Sequence, residues 1–429
     1  MRDHKQITLR SVEEFKIQIL AWAQQFEDIV WLDSNQYHQT HGSYDSILAV
    51  DAFTSIQTDT LNGFKKLKEY QTINNDWIFG YLSYDLKNDT ESLKSQNFDG
   101  LDFPDLCFFQ PKKLFLFKDD KLIIRYLNLV SDDVDIDLES IETFPPKNNP
   151  FHSNNIKIES RISKKQYLNK VTTMLSHINR GDIYEANFCQ EFYAHTDLSP
   201  LETYLNLNKI AKTPFATFLK NRDKFLLSSS PERYLKKEGL KITSQPIKGT
   251  TKRSQYSKED LDFKTSLEND PKERSENIMI VDLVRNDLSK IAQKGTVNVT
   301  ELCKVHSFKQ VHHMISTVQA EALPSISAVD IIAATFPMGS MTGAPKISAM
   351  KIIETLEDTK RGLYSGAVGY FTPDGDFDFN VVIRSIMYNA SKSYVSFSVG
   401  SAITSKSTAE KEYEECLVKA KAMRSVLEN

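Results

Sequence analysis

Residues 367–399 read AVGYFTPDGDFDFNVVIRSIMYNASKSYVSFSV. Runs rich in aromatic and β-branched residues predict strands at 367–371, 379–388 and 393–399. Helical signals stand on both sides. Asp270 followed by Pro271 is an N-cap with proline at the first helical position, and it predicts a helix running to about Gln293. A second helix is expected to start at Pro345. A third is expected from about Thr408 to the C-terminus, where Ser407 and Glu410 have the spacing of a capping box. Earlier, 163–180 reads as a helix closed by Gly181, and 225–228 and 241–244 read as strands. Strands and helices mix without a regular βαβ rhythm, which predicts an α+β fold.

The first 150 residues are less patterned. An amphipathic helix is expected at 15–26. Strands are expected at 77–84, at 113–117 and, beyond a turn at Asp119-Asp120, at 122–126. The acidic stretch 131–142 and the Pro- and Asn-dense stretch 143–155 follow, and the latter reads as a loop or linker. By sequence the chain divides into an N-terminal segment, 1–150, and a larger segment, 151–429.

The chain has 429 residues, with 53 Lys and Arg against 57 Asp and Glu. That near balance argues against a nucleic-acid binder, which carries a basic excess. A hydrophobic fraction of 40% is enough for a large core. No window is apolar enough for a membrane span, and no apolar run follows the first charges, so a cytoplasmic protein is expected. Cys107, Cys189, Cys303 and Cys416 form no CxxC pair and are expected as reduced, buried thiols rather than a disulfide or zinc framework.

Four groups of residues could carry chemistry. Glu273 and Glu276 share one helix face, as do Glu412 and Glu415, with Lys419 further along. Such carboxylates suit Mg²⁺, which takes one or two of them plus water and substrate oxygens. The same spacing suits a solvated helix face, and spacing alone does not bring two helices together. The turn 339–346, GSMTGAPK, could offer free N–H groups to an anion at a helix start. It does not satisfy GxxxxGK[ST], so a nucleoside triphosphatase is rejected. Lys248 lies in QPIKGT after a strand. A lysine among apolar groups or cations loses proton affinity and becomes nucleophilic. Glu232, His313, Tyr364 and Arg384 are scattered. The adjacent His312 and His313 would face opposite ways on a strand.

Seven strings in order, SSSPER, QPIKGT, SENIMIVDLVRNDL, FPMGSMTGAPK, RGLYSGAVGYF, VVIRS and EYEECLVKA, resemble the chorismate-utilising enzyme family. That family includes anthranilate synthase, aminodeoxychorismate synthase, isochorismate synthase and salicylate synthase. The resemblance spans about 158–425 and is weaker earlier, at WLDSN and WIFGYLSYDL. It implies antiparallel sheets packed together under outer helices, with the substrate in a cleft. Anthranilate synthases typically read PIAGT where this chain has PIKGT, and the lysine form resembles the aminodeoxychorismate synthase component I branch. The expected reaction is therefore conversion of chorismate and ammonia to 4-amino-4-deoxychorismate, toward 4-aminobenzoate and folate. Alternatives are anthranilate synthase, isochorismate synthase and a non-catalytic partner-binding subunit.

The resemblance also implies roles. Lys248 would be a covalent nucleophile, Glu232 the acid and base, and His313 a polarising group at the C4 hydroxyl. Glu276 and Glu415 would bind Mg²⁺, supported by Glu273 and Glu412. Tyr364, Arg384 and the backbone at Gly400, Ser401 and Ala402 would hold the enolpyruvyl carboxylate. Gly249, Thr250 and Thr342 would contact substrate, and Lys419 would either stand behind the groups that do or partner a carboxylate. The family's Gly-Ala-Gly reads Gly400-Ser401-Ala402 here, so an extra Cβ stands at the third position. Ammonia would come from a separate glutaminase subunit in a heterodimer, since the synthase part takes up this chain's length.

Overall fold

A computed structural model of the protein describes residues 2–37, 42–144, 156–308 and 311–428. Twenty strands among them join into one continuous sheet, and the pairings between these strands are antiparallel. The long strands Ser46–Thr58 and Leu106–Lys118 pair with each other and hold two wings together. One wing continues through Asp28–Asp33, Phe215–Asn221, Lys224–Ser230, Ser385–Asn389, Tyr394–Thr404 and Glu185–His195. The other continues through Ile78–Leu82, Ala367–Phe371, Phe377–Val381, Arg233–Glu238, Lys241–Gln245 and Val311–Glu321. Strands from the first 150 residues thus pair directly with later ones, Asp28–Asp33 on Phe215–Asn221 and Ile78–Leu82 on Ala367–Phe371.

Side-chain alternation explains the layering. Ile47, Ala49, Leu114 and Leu116 face a core shared with Val318, Val368 and Phe379 of the other wing. Their neighbours Leu48, Val50, Phe115 and Phe117 face a second core, closed by Ile19 and Trp22 and by Tyr167, Cys416 and Met423 of outer helices. Where they are buried on both faces, at 47–50 and 114–117, these strands read as unbroken apolar runs rather than as alternating ones. The four cysteines are buried and unpaired. No helix among the described residues is long and apolar enough to cross a membrane.

Several expected boundaries move. The strand expected at 379–388 is two strands, Phe377–Val381 and Ser385–Asn389. They are broken where Arg384 takes a left-handed φ of +53°, a conformation that costs a side-chain-bearing residue free energy and persists only when its surroundings impose it. The acidic stretch contains a helix, Val134–Thr143. Val134, Leu138 and Ile141 fall at i, i+4 and i+7 and face the second core, a stripe the surrounding acids conceal in the sequence. Residues 145–155 of the proposed linker lie outside the described residues. The helix capped by Asp270 is Pro271–Ser289, ending short of Gln293. The next begins at Lys346, with Pro345 as its cap. The last begins at Ala409. The Ser407 hydroxyl does not form the expected capping box, because it accepts from the Thr404 N–H at 3.1 Å.

Candidate active site

A cavity of about 440 Å³ opens where the two wings meet the helices Pro271–Ser289 and Ala409–Glu428. It falls within the usual range for a small-molecule site. Lys248, Gly249, Thr250, Glu232, His313, Tyr364, Arg384, Gly400, Ala402, Glu273, Glu276, Glu415 and Lys419 all line it. Sequence reasoning could not establish that the two glutamate-bearing helices meet. They do, and the Lys272 ammonium sits 3.7 Å from Glu276 and 3.8 Å from Glu412 across the junction.

Three expected residues are not at the wall. Thr342 is fully buried, and its hydroxyl donates to the carbonyls of Gly339 and Met338 at 3.2 and 3.3 Å. Ser340 and Met341 of the same turn line the cavity instead. Ser401 points to the opposite face of its strand from Gly400 and Ala402, where its hydroxyl meets that of Tyr167 at 3.2 Å. Glu412 is buried behind the lining and engages Lys272. The expected anion cradle at 339–346 is also spent internally. The N–H groups of Met341 and Thr342 bond carbonyls within the turn, and the Lys346 ammonium pairs with buried Asp287 at 2.5 Å.

Each wall carries its own chemistry. On one, Glu232 is 5% exposed, and burial pushes its carboxyl up to about 7, against the opposing pull of Ser340 and Lys248. A group poised there can give or take a proton at neutral pH. On a facing strand, His313 exchanges a hydrogen bond with Thr250 at 2.8 Å. Burial, with Arg384 nearby, lowers its pKa to about 3, so the ring is neutral. His312 turns the other way, to Ser307 and Asp260, as alternation requires. Arg384 has no hydrogen bond or ion pair within the described residues that would occupy its guanidinium, and its left-handed backbone aims it from the strand break into the cavity. Burial lowers its proton affinity and Tyr364 raises it, yet a guanidinium keeps its charge in proteins. Two glycines admit close packing. A Cβ at Gly400 would lie 2.6 Å from the Cys189 sulfur, and Gly249 has φ +86° against Glu273 and Leu267.

The acidic wall is only partly satisfied. Burial raises Glu276 to about 7, with Lys248 and Lys272 opposing. One buried oxygen on each of Glu276 and Glu412 lacks a hydrogen-bond partner. Burial pushes Glu415 up, but the Lys419 ammonium at 2.6 Å outweighs it and holds the carboxyl below its usual value. Lys419 also donates to the Gly400 carbonyl at 2.8 Å. The carboxylates of Glu273, Glu276 and Glu415 line the cavity, and hard oxygens of this kind, one of them on Glu276 buried without a hydrogen bond, fit Mg²⁺, which needs few protein ligands. No cluster of three or more His, Cys, Asp or Glu among the described residues is close enough to make a preformed cage.

Lys248 differs from expectation. Burial alone would lower its proton affinity, but Glu185 and, further away, Glu276 and Glu415 raise it above the ordinary lysine value. Its Nζ is 2.9 Å from Glu185 Oε1. Sequence reasoning missed Glu185. Its only signal is an acid opening the largely buried strand Glu185–His195, which carries a second acid at Glu191.

With this geometry in place, comparison with known proteins is informative. Residues 27–425 match the family described as chorismate binding enzyme. The chain belongs to that family. It is similar to aminodeoxychorismate synthase component 1 of Bacillus subtilis, at 31% identity over 88% of this chain and 80% of that protein. It is similar to anthranilate synthase component 1 of Thermus thermophilus at 32% identity over 82% and 77%. The chain spans only 44% and 28% of the chloroplastic aminodeoxychorismate synthases of rice and Arabidopsis that it matches. Among solved structures, anthranilate synthase component I of Streptococcus pneumoniae superposes with a TM-score of 0.78 at 27% identity, over 90% of this chain and 95% of that one. The α+β chorismate-binding fold, sheets packed under outer helices, is therefore the one the sequence predicted.

Proposed function

We propose that this chorismate-binding enzyme forms 4-amino-4-deoxychorismate from chorismate and ammonia through a covalent bond to Lys248. The observation that carries the reading is an amine, Lys248, in the same cavity as Glu232 and the Mg²⁺-suited glutamates. Relatives bearing both the aminodeoxychorismate and the anthranilate synthase names are equally similar overall, so the reading rests on this residue.

The topology of the reaction explains why an amine is needed. Nitrogen must end on C4, the carbon that the hydroxyl leaves. A nucleophile entering at C2 expels that hydroxyl with an allylic shift, and one such shift puts the new group at C2. Two shifts return it to C4. Lys248 adds first at C2, and ammonia then adds at C4 and expels the lysine. Glu232, titrating near 7 and close enough to feel the Lys248 charge, donates to the departing hydroxyl and recovers a proton from the arriving ammonia. Neutral His313, held by Thr250, orients the hydroxyl as a hydrogen-bond partner rather than as an acid. Arg384 offers an uncommitted fork to the enolpyruvyl carboxylate, with Tyr364 beside it. Glu276 and Glu415, supported by Glu273 and Glu412, would hold Mg²⁺, whose charge would neutralise the ring carboxylate and favour electron flow toward the adjacent carbon. Ammonia would reach the site from a glutaminase partner; the name "component 1" of the relatives implies a further component for those proteins.

The test is product identity with chorismate, ammonia and Mg²⁺, with and without an added C–N lyase. The reading expects 4-aminobenzoate only when the lyase is present. Release of anthranilate by the protein alone identifies an anthranilate synthase and refutes it. Turnover without ammonia identifies an isochorismate synthase.

A further inference from the structure

A lysine can attack only as the free amine, yet this cavity holds Lys248 as an ammonium, so its proton needs a destination within hydrogen-bond reach. Glu185 Oε1 lies 2.9 Å from Lys248 Nζ and, among the described residues, is the one carboxylate within ion-pair distance of it. Glu185 is 1% exposed, at the mouth of the strand Glu185–His195, and its second oxygen is buried without a hydrogen-bond partner. The backbone at this point is fixed, because Gly343 packs so closely that a Cβ there would lie 2.1 Å from the Glu185 carbonyl. Other charged groups face Lys248 without bonding it. Glu273, Glu276 and Lys272 come from the helix Pro271–Ser289, and Glu415 and Lys419 from the helix Ala409–Glu428. Glu232, His313 and Arg384 complete the enclosure. Glu232 is committed to the C4 oxygen in the reading above, and the helix glutamates face the metal side.

We propose that Glu185 is the base that takes the proton of Lys248 and returns it at the end of the cycle, an inference that rests on the lysine-adduct reading. The N–H bond of the ammonium breaks, its proton goes to Glu185 Oε1, and the electron pair left on Nζ forms the bond to C2. The C4–O bond breaks and the oxygen leaves as water with the proton of Glu232. When ammonia bonds to C4, the C2–N bond breaks and its electrons return to Nζ. Glu232 takes a proton from the new C4 ammonium, and Glu185 reprotonates Lys248. The sum is chorismate and ammonia giving 4-amino-4-deoxychorismate and water. A buried glutamate suits the task because the pair exchanges one proton without creating net charge.

The experiment compares native protein, Glu185→Gln and Glu185→Asp by intact mass after mixing with chorismate and Mg²⁺ without ammonia. Glutamine keeps the shape and an acceptor but cannot take a proton. We expect adduct formation in Glu185→Gln to be slower by ~10²-fold or more at neutral pH, the scale of a lost general base. The deficit should shrink in alkali, where the free amine needs no base, and Glu185→Asp should recover part of the rate. If Glu185 were only an electrostatic or structural partner, removing its charge would free more amine. Glu185→Gln would then react as fast as native protein or faster, which would overturn the proposal. A second readout needs no chorismate: labelling of Lys248 by trinitrobenzenesulfonate across alkaline pH, located by peptide mass. The pH midpoint should fall in Glu185→Gln, and an unchanged midpoint contradicts a shared proton. Anthranilate release by native protein would refute the product reading separately, while an unchanged labelling midpoint would still contradict a proton shared by the two groups.

Discussion

Two buried charge clusters lie on either side of the strand Glu185–His195, and they are built differently. The Arg361 guanidinium meets Glu357 at 2.7 and 2.9 Å and donates to the carbonyls of Met341 and Asn187 at 2.6 and 2.7 Å. Glu357 also accepts from the Cys189 N–H at 2.9 Å. Donors and acceptors match, and nothing there awaits a ligand. At and just behind the cavity wall, Glu185, Glu276 and Glu412 each keep a buried oxygen without a hydrogen-bond partner, while Arg384 has no ion pair within the described residues. Unpaired buried groups cost free energy. A cluster that keeps both unsatisfied acids and an unpaired guanidinium suits a molecule carrying carboxylates, as the proposed function requires.

Removing the nucleophile should have the largest effect on that contrast. Lys248→Ala should lower 4-amino-4-deoxychorismate formation by ~10⁴-fold or more at saturating ammonia, the scale on which covalent nucleophiles act. Comparable turnover by the variant would remove the lysine from the mechanism. Next come the metal-side acids. Glu276→Gln or Glu415→Gln should cut activity by ~10²-fold or more and weaken Mg²⁺ binding in a titration. Near-normal rates in excess EDTA would refute the metal role.

The third prediction sets the clusters against each other in stability. Glu357→Ala should destabilise by about 3–5 kcal/mol, because it strands a buried guanidinium. Glu232→Gln should do the opposite. A carboxyl raised in the folded state adds stability below its unfolded pKa, and that stability is lost as pH rises from about 4.5 through about 7. Replacing it should therefore stabilise by on the order of 3 kcal/mol above neutrality and by little near the lower limit. Denaturant melts at both pH values check the sign, and destabilisation by Glu232→Gln at the higher pH would contradict it. The smallest effect is steric. Gly400→Ala should cost about 1–3 kcal/mol as its Cβ meets the Cys189 sulfur, with Cys189→Ala partly restoring the loss.

How much of this was legible depended on whether a signal was local. Asp270-Pro271 marked a helix start because capping is decided within four residues, and the Asp270 side chain does accept from the N–H groups of Lys272 and Glu273. PIKGT identified Lys248 because a resemblance travels with a short string. The meeting of two helices far apart in sequence has no local signal, so the junction of Glu276 and Glu412 at Lys272 could not be read. The same holds for Thr342, whose turn faces inward by one residue while Ser340 faces the cavity. Arg384 looked like mid-strand because its apolar neighbours continue the pattern, and only the backbone reveals the break. The proton affinity of Lys248 was misjudged because its neighbours in sequence are apolar, whereas its neighbour in space is Glu185.

The central claim is a bond between Lys248 and the substrate ring. Intact mass after mixing with chorismate and Mg²⁺, without ammonia, tests it most directly. The account predicts a gain equal to chorismate less one water in native protein, absent in Lys248→Ala and reversed by ammonia. No gain in native protein, or an equal gain in Lys248→Ala, would contradict it.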